Sequence, residues 1–229
     1  MNQFSQTKID SRTKEDQVYD ILREAILECD LPPGEKLVID QIAQQMNIST
    51  IPIRAAIQRL GMEGLVEIKP HAPAKIAEIS LDMVRETFML LAALEQVAFE
   101  TLARQADPEK IRVLDALLEE MDTLAAKGNR KVWAQKNIEF HLQLAKLTDM
   151  PLLFDFTQRT FDQWRRLSNF YFRKVASTRM AQAQAEHSEI LSHIKNQEIE
   201  ELIALAKCHN QAAFESYDAL IHNEEMNKP

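Results

Sequence analysis

Three histidines in the second half of the chain stand at spacings that let helices turn them inward together. Asn137 and His141 are four residues apart, so they share one helix face. The other two histidines follow apolar helical stripes: His187 goes with Ile190, Leu191 and Ile194, and His209 goes with Leu202, Leu205, Ala206 and Ala213. Imidazoles that converge inside a helical bundle bind divalent metals such as zinc, and also nickel or manganese. The sequence therefore predicts a metal site made from His141, His187 and His209, with Asn137 on the same face as His141. The alternative for each histidine is a hydrogen-bonded core residue.

The other histidines do not fit this pattern, and the usual signs of a catalytic metal are missing. His193 lies off the inward stripe, so we expect it, with His71 and His222, not to be a ligand. The sequence has no HExxH helix, and Glu139 is only two residues before His141, which points it elsewhere. A metal-dependent enzyme is kept as an alternative because three imidazoles can leave a position open for water. We predict that the protein is not an enzyme.

Composition sets limits on the fold and on the partners. Only four of the 229 residues are glycine, which favours a mostly helical chain, and 45% are hydrophobic, which is enough for a core. The net charge of −8 means that any DNA-binding face must be a local basic patch.

No apolar run is long enough for a bilayer, and the N-terminus lacks the apolar core of a signal peptide. Cys29 and Cys208 form no CxxC pair, so we expect a cytoplasmic protein without a membrane partner.

Residues 1–79 have the pattern of a winged helix-turn-helix domain. Helical periodicity runs from Lys14 to about Cys29, and a second helix fits 38–46. A third helix begins after Ser49, a good N-cap, and carries Pro52 in its first turn. The segments GLVEIK and AKIAEI then alternate as two short strands joined by PHAPA. Three helices followed by a two-stranded wing predict a DNA-binding domain.

Residues 80–229 read as an all-helical antiparallel bundle. Helical patterns predict six helices, at 81–104, 109–127, 130–148, 151–175, 177–195 and 198–222, with a weak break near Ala176–Ser177. The predicted fold class is therefore mainly α, with a winged helix-turn-helix domain followed by a bundle of about six helices.

Two stretches in register resemble the winged-helix domain of the GntR family of bacterial transcriptional regulators. They are VYDILREAILECDLPPGEKL and IAQQMNISTIPIRAAIQRLGMEGLVEIKP. The helical remainder resembles the FCD effector domain of the family's FadR/VanR branch, through EFHLQLAKLTDMPLL and EHSEIL with the later His209. The resemblance implies a homodimer that binds two-fold operator DNA and responds to a small acid. It also implies a metal site of an Asp-x-x-x-His pair and two later histidines, in which Asn137 replaces the aspartate.

The third helix carries the candidate DNA contacts. Thr50 and Arg54 lie at its N-terminal end, the part that enters the groove in helix-turn-helix proteins. Ser49 caps the helix, while Lys69 and His71 belong to the wing. We predict that these five residues bind DNA, with Arg54 pairing with guanine or phosphate. The alternatives are an internal salt bridge for Arg54 and a solvated surface position for the wing residues.

Several positions depart from the family pattern. The family commonly has arginine at the place of Thr50, a basic residue near Asp40, and glycine at the wing tip formed by His71-Ala72-Pro73-Ala74. These changes predict a weaker grip on phosphate or an unusual operator sequence.

The effector site departs from the family as well. An arginine that would hold a carboxylate is replaced by Leu91, one turn before Glu95. Arg85, Arg165, Arg166 and Arg173 are possible replacements, and we predict Arg165 and Arg173 as the effector-binding residues. The alternatives are a less acidic ligand, a ligand held mainly by the metal, or no ligand at all. The aromatic run at 161–172 predicts bundle core, with a pocket wall or a dimer interface as alternatives.

Together these features predict a ligand-responsive transcriptional regulator whose affinity for DNA changes with a small organic acid. The alternative is a dimerising regulator whose effector and metal site has degenerated.

Overall fold

A computed structural model describes residues 13–226, apart from the side chains of 172–178 and 223–226. The chain divides into two compact units between Glu78 and Ile79. Each unit has its own core: one cluster in the first and two in the second. Among the described residues, no helix combines the length and the apolar character needed to cross a bilayer.

The first unit contains three helices, α1 (Lys14–Leu27), α2 (Ile39–Met46) and α3 (Thr50–Met62). A capping box between Thr13 and Asp16 starts α1. Asn47 ends α2 in the left-handed conformation, with φ of 51°, which makes the tight turn into α3. The buried stripe of α3 consists of Ile53, Ala56, Ile57 and Leu60.

The wing is an antiparallel ribbon of β1 (Val66–Glu67) and β2 (Lys75–Ile76). These strands are shorter than the two six-residue segments predicted from alternation. The stretch after the LPPG turn runs along the other side of β2, with the Ile76 N–H donating to the Glu35 carbonyl at 2.8 Å. Gly34 makes this possible with a φ of 81°, a conformation that favours glycine.

The second unit contains five helices in its described part. They are α4 (Leu81–Gln105), α5 (Pro108–Ala126), α6 (Arg130–Leu147), α7 (Pro151–Asn196) and α8 (Ile199–Met226). Side-chain caps from Ser80, Asp107 and Asn129 start the first three. The longest helix, α7, packs against α4, α5, α6 and α8, so it forms the spine of the unit.

The predicted break near Ala176–Ser177 is wrong, because α7 continues through it as one helix of 46 residues. After Pro151, this segment contains no proline or glycine, and small residues alone do not end a helix. The described part of the bundle thus has five helices, because the fourth and fifth predicted segments form one helix.

Candidate functional site

Three helices bring the predicted histidines together in the interior of the second unit. His141 comes from α6, His187 from α7 and His209 from α8, and all three are buried. Each offers one ligand atom, and these atoms lie within 4.8 Å of one another. Such a cluster has the donor type and the spacing that a single divalent ion requires.

A carboxylate stands behind two of these rings. Glu186 Oε2 lies 2.6 Å from His209 Nδ1 and forms a hydrogen bond with it. Glu95 Oε1 lies 2.6 Å from His141 Nδ1, although this approach is not aligned with the ring N–H. A carboxylate on one ring nitrogen orients the imidazole and leaves the other nitrogen for a metal. Both rings therefore have Nε2 available for that role.

His187 is the exception, since neither of its ring nitrogens has a hydrogen-bond partner among the described residues. Its side chain is fully buried, and the ring packs between Trp133 and Phe140. Burial, followed by the positive charges of His209, His141 and Arg179, holds the pKa of His187 well below 6.5. A neutral imidazole with an unpaired buried nitrogen is the form that a metal binds. The residues present fit a divalent ion.

The two carboxyl groups behind the rings are anionic despite their location. Burial by itself would raise the pKa of Glu95, but His141, His209 and Asn210 together bring it below its usual value. Burial also acts to raise the pKa of Glu186, and the contacts of His209 and Arg179 lower it further than burial raises it. These contacts favour the carboxylate form of both groups, one of them buried (Glu95) and the other partly buried (Glu186).

A cavity of about 80 Å³ adjoins the histidines. That is room for several waters or for one small organic molecule. Its polar wall includes Glu95, Asn137, His141 and His209. Its apolar wall is formed by Phe88, Leu91, Trp133, Ala134, Phe161, Trp164, Met180, Ala183, Ala213 and Tyr217. Asn137 is buried and faces the same space as the histidines, as the i, i+4 spacing predicts.

Two polar residues of this wall escaped the sequence reasoning. Arg179 is 8% exposed, and its Nη2 donates to Glu186 Oε2 at 2.6 Å and to the His209 carbonyl at 2.9 Å. Asn210 donates to Glu95 Oε2 at 2.6 Å. A signal was present for each, since Arg179 precedes Glu186 by two helical turns and Asn210 directly follows His209.

One of the two arginines predicted to bind the effector can be located relative to the cavity. Arg165 is half-buried on α7 and does not line it. The side chain of Arg173 lies outside the described residues. Leu91 does line the cavity, so the loss of the family's arginine there leaves an apolar wall. The aromatic run is mixed: Phe161 and Trp164 face the cavity, while Phe170 is 45% exposed.

In the first unit, the N-terminal end of α3 is open to solvent. Ser49 is the N-cap residue and is exposed, and its side chain makes no capping hydrogen bond within the described chain. Thr50 is half-buried, and Arg54 is exposed. Arg54 has no ion pair among the described residues, unlike Arg59, which lies 3.4 Å from Asp16 and stacks 3.7 Å above the ring of Tyr19. The salt bridge considered for Arg54 is therefore not seen.

The wing is less basic than its lysines imply. Glu67 lies 3.2 Å from Lys69 Nζ and 3.6 Å from Lys75 Nζ, so one carboxylate partly neutralises both lysines. His71 is exposed at the tip with a φ of 60°, where the family's glycine would be unstrained. The sequence analysis did not identify Ile51 as a candidate DNA contact. Its side chain is 76% exposed beside Thr50.

Comparison with known families agrees with these two units. Residues 14–76 match the family described as "Bacterial regulatory proteins, gntR family", and residues 86–212 match the FCD domain. The second match covers more than half of the chain.

Similar proteins are transcriptional regulators rather than enzymes. The HTH-type transcriptional repressor RspR of Escherichia coli K12 is 25% identical over 155 residues, which cover 66% of this chain and 68% of RspR. An uncharacterized regulator of Bacillus subtilis, YdhC, is 30% identical over 112 residues, covering 49% of this chain and 50% of YdhC.

Solved structures show the same fold. E. coli McbR/YncC superposes with a TM-score of 0.75 at 18% identity, covering 92% of this chain and 100% of that one. A GntR regulator from Rhodococcus sp. RHA1 gives 0.74 at 18% identity, covering 91% and 99%. The chain therefore belongs to the GntR family of bacterial transcriptional regulators and carries an FCD domain.

Proposed function

We propose that this regulator binds a two-fold operator as a homodimer and that a small-molecule effector beside a divalent metal in the helical unit changes this binding. The observation that supports the proposal best is the buried histidine cluster that opens onto a cavity. A metal would bind one of the two nitrogens of His187, neither of which has a partner among the described residues.

His141, His187 and His209 would hold the ion through neutral nitrogens, with zinc the first candidate and nickel or manganese next. Bound there, it would act as a Lewis acid that attracts an anionic or polar group of the effector. Glu95 and Glu186 would orient two of the rings. Asn137 offers only a neutral amide oxygen, so its contribution to binding a cation is smaller than that of an aspartate.

For DNA, we propose that α3 enters the major groove with its N-terminal end. Arg54 is exposed at this end and has no ion pair among the described residues, so its positive charge can meet a guanine or a phosphate. Ser49 and Thr50 can reach phosphate or sugar oxygens. Lys69 and His71 would contribute less, because Glu67 offsets the charge near the wing. Ile51 can make an apolar contact with a thymine methyl group. A two-fold dimer matches a palindromic operator because each subunit reads one half-site.

Two measurements on the purified full chain test the proposal. Elemental analysis determines which metal copurifies, and fluorescence anisotropy measures binding to a duplex selected from a random pool, with and without added zinc. We expect about one metal ion per chain and binding that weakens steeply with salt. Failure to bind any duplex at low salt would refute the regulatory mechanism.

The alternative is a dimerising regulator with a degenerate site, which Leu91 and Asn137 favour because each removes a charged group from the family pattern. A metal-free protein whose DNA affinity and thermal stability ignore added zinc or nickel would establish this alternative.

A further inference from the structure

Two buried hydroxyl groups line the cavity at the end away from the histidines. Ser168 on α7 and Tyr217 on α8 are both buried, and both belong to the cavity wall. The ring of Tyr217 packs on Phe88, with centroids 5.7 Å apart, whereas Asn210 is bonded to Glu95 at the histidine end. Seven residues separate Tyr217 from Asn210 on α8, and seven separate Phe88 from Glu95 on α4. Since a helix rises about 1.5 Å per residue, the two ends of the cavity are about 10 Å apart.

The two hydroxyl groups can form more hydrogen bonds than the protein gives them. Ser168 and Tyr217 form a hydrogen bond with each other. Each hydroxyl carries one proton to donate, so their mutual bond uses one of two protons. Neither hydroxyl has a further acceptor among the described residues. One O–H donor is therefore left for a group inside the cavity, because buried polar groups are normally hydrogen-bonded.

The surroundings of the pair favour a neutral partner. Burial raises the pKa of Tyr217 to about 12, although the hydrogen bond with Ser168 acts in the opposite direction, so the phenol keeps its proton. Phe88, Phe161 and Trp164 add an apolar wall. A charged group at this end would lose its hydration and gain only neutral hydroxyl groups in return, which is costly. A hydroxyl group, which both donates and accepts, matches the pair without that cost.

We propose that Ser168 and Tyr217 bind a neutral hydroxyl group of a small molecule in the cavity. This inference rests on the proposed function, since that molecule would be the effector, and it names the group that the protein recognises at the end away from the histidines. The ligand's oxygen accepts the remaining O–H proton of the pair, and its own proton is donated to an oxygen of the pair. The carbon skeleton beside the hydroxyl group lies against the aromatic wall, as a small alcohol or phenol would.

Phenol and toluene test this site, because they have nearly the same shape and differ by one hydroxyl group. The two tryptophans of the chain, Trp133 and Trp164, both line the cavity, so their fluorescence reports on its contents. The purified full chain is titrated with each probe, and the ratio of the two affinities is compared between variants. This ratio isolates the hydroxyl group, because the apolar contacts of the two rings cancel.

The variant Tyr217→Phe should lower the affinity for phenol relative to toluene by about 3- to 10-fold, the factor expected for one hydrogen bond between neutral groups. Ser168→Ala should change the ratio in the same direction, and it carries the test if Tyr217→Phe does not fold. Tyr171→Phe is the matched control, because Tyr171 is buried, its ring lies 6.4 Å from that of Tyr217, and it does not line the cavity. Ser188→Ala, at an exposed position on the same helix as Ser168, is the control for the serine. Both controls should keep the wild-type ratio, and circular dichroism checks that each variant is folded.

Two results would overturn the inference. The wild-type ratio in both folded variants would show that the pair does not contact the hydroxyl group of the probe. A wild-type chain that binds toluene but not phenol, or neither probe, would show that the pair holds only water. Neither titration depends on zinc or DNA, so these results are distinct from a failure of the proposed function, which elemental analysis and anisotropy measure separately.

Discussion

Glu186 Oε2 lies 2.6 Å from Nδ1 of His209, so a carboxylate on α7 orients a histidine on α8. The same oxygen accepts a bond from Arg179, which joins the histidine cluster to the wall of the cavity. A hydrogen bond to a metal-binding histidine orients its ring, so removing this contact should lower the affinity for the metal.

Replacing Glu186 by Gln should weaken zinc binding by about 10-fold or more, because an amide is a poorer partner for the ring N–H than a carboxylate. Competition with a chromogenic chelator measures the affinity. Glu189→Gln is the control, since Glu189 is exposed on the same helix. Equal zinc affinity in Glu186→Gln and wild type would show that the contact does not support a metal.

Replacing His187 by Leu should abolish the rise in melting temperature that zinc produces in the wild type. Without zinc, the variant should be at least as stable as the wild type, because the buried nitrogens it loses have no partner among the described residues. Differential scanning calorimetry with and without zinc compares the two. His193→Leu should keep the zinc response, because His193 pairs with Glu198 at 2.7 Å. A zinc response that survives in His187→Leu would exclude His187 as a ligand.

The metal-free protein should lose stability as the pH falls below 6.5. The unfolded chain protonates His187 near its ordinary pKa of 6.5, whereas burial and the neighbouring positive charges of His209, His141 and Arg179 keep it neutral in the fold. The free energy of unfolding should therefore fall by up to about 1.4 kcal/mol per pH unit from this group. The stability that comes from the depressed pKa values of Glu95 and Glu186 is lost at lower pH, below their ordinary value of 4.5. Urea unfolding at several pH values should show a shallower slope for His187→Leu. Parallel curves between pH 6.5 and 5 would contradict the prediction.

Replacing Asn137 by Asp should raise the affinity for zinc, because it adds an anionic oxygen to the wall that the histidines share. The metal-free variant should be less stable than the wild type, since the added charge is buried on the wall that also holds the carboxylate of Glu95. Calorimetric titration and thermal unfolding measure the two effects. Asn137→Leu is the control for loss of the amide and should not gain affinity. If Asn137→Asp binds zinc no better, Asn137 does not face the ion.

Replacing Arg54 by Ala should abolish binding to the selected operator, and Thr50→Arg should strengthen DNA binding overall. Arg54 is exposed and not ion-paired among the described residues, so its loss removes the free charge of the α3 end without disturbing the core. Anisotropy titrations across a salt series check both variants, with Arg112→Ala in the helical unit as the control. Unchanged operator affinity in Arg54→Ala would mean that α3 is only a scaffold.

The sequence by itself determined the order of the elements and the inward position of the histidines. Periodicity places His141, His187 and His209 on inward faces because helix geometry is local, and Asn47 and Pro52 fix a turn through their own backbone preferences. The missing break in α7 shows the limit of such reasoning, since a weak breaker does not stop a helix that tertiary packing supports on several sides.

Only the tertiary structure decided which charges meet. Arg179 was not singled out in the sequence: its spacing from Glu186 on the same helix is visible there, but the contact of both residues with His209 on α8 is not. Likewise, Glu67 reduces the free charge of Lys69 only once the wing has folded. Contacts between charged residues on different helices depend on how those helices pack. The residue pattern along one helix does not show which other helix lies beside it.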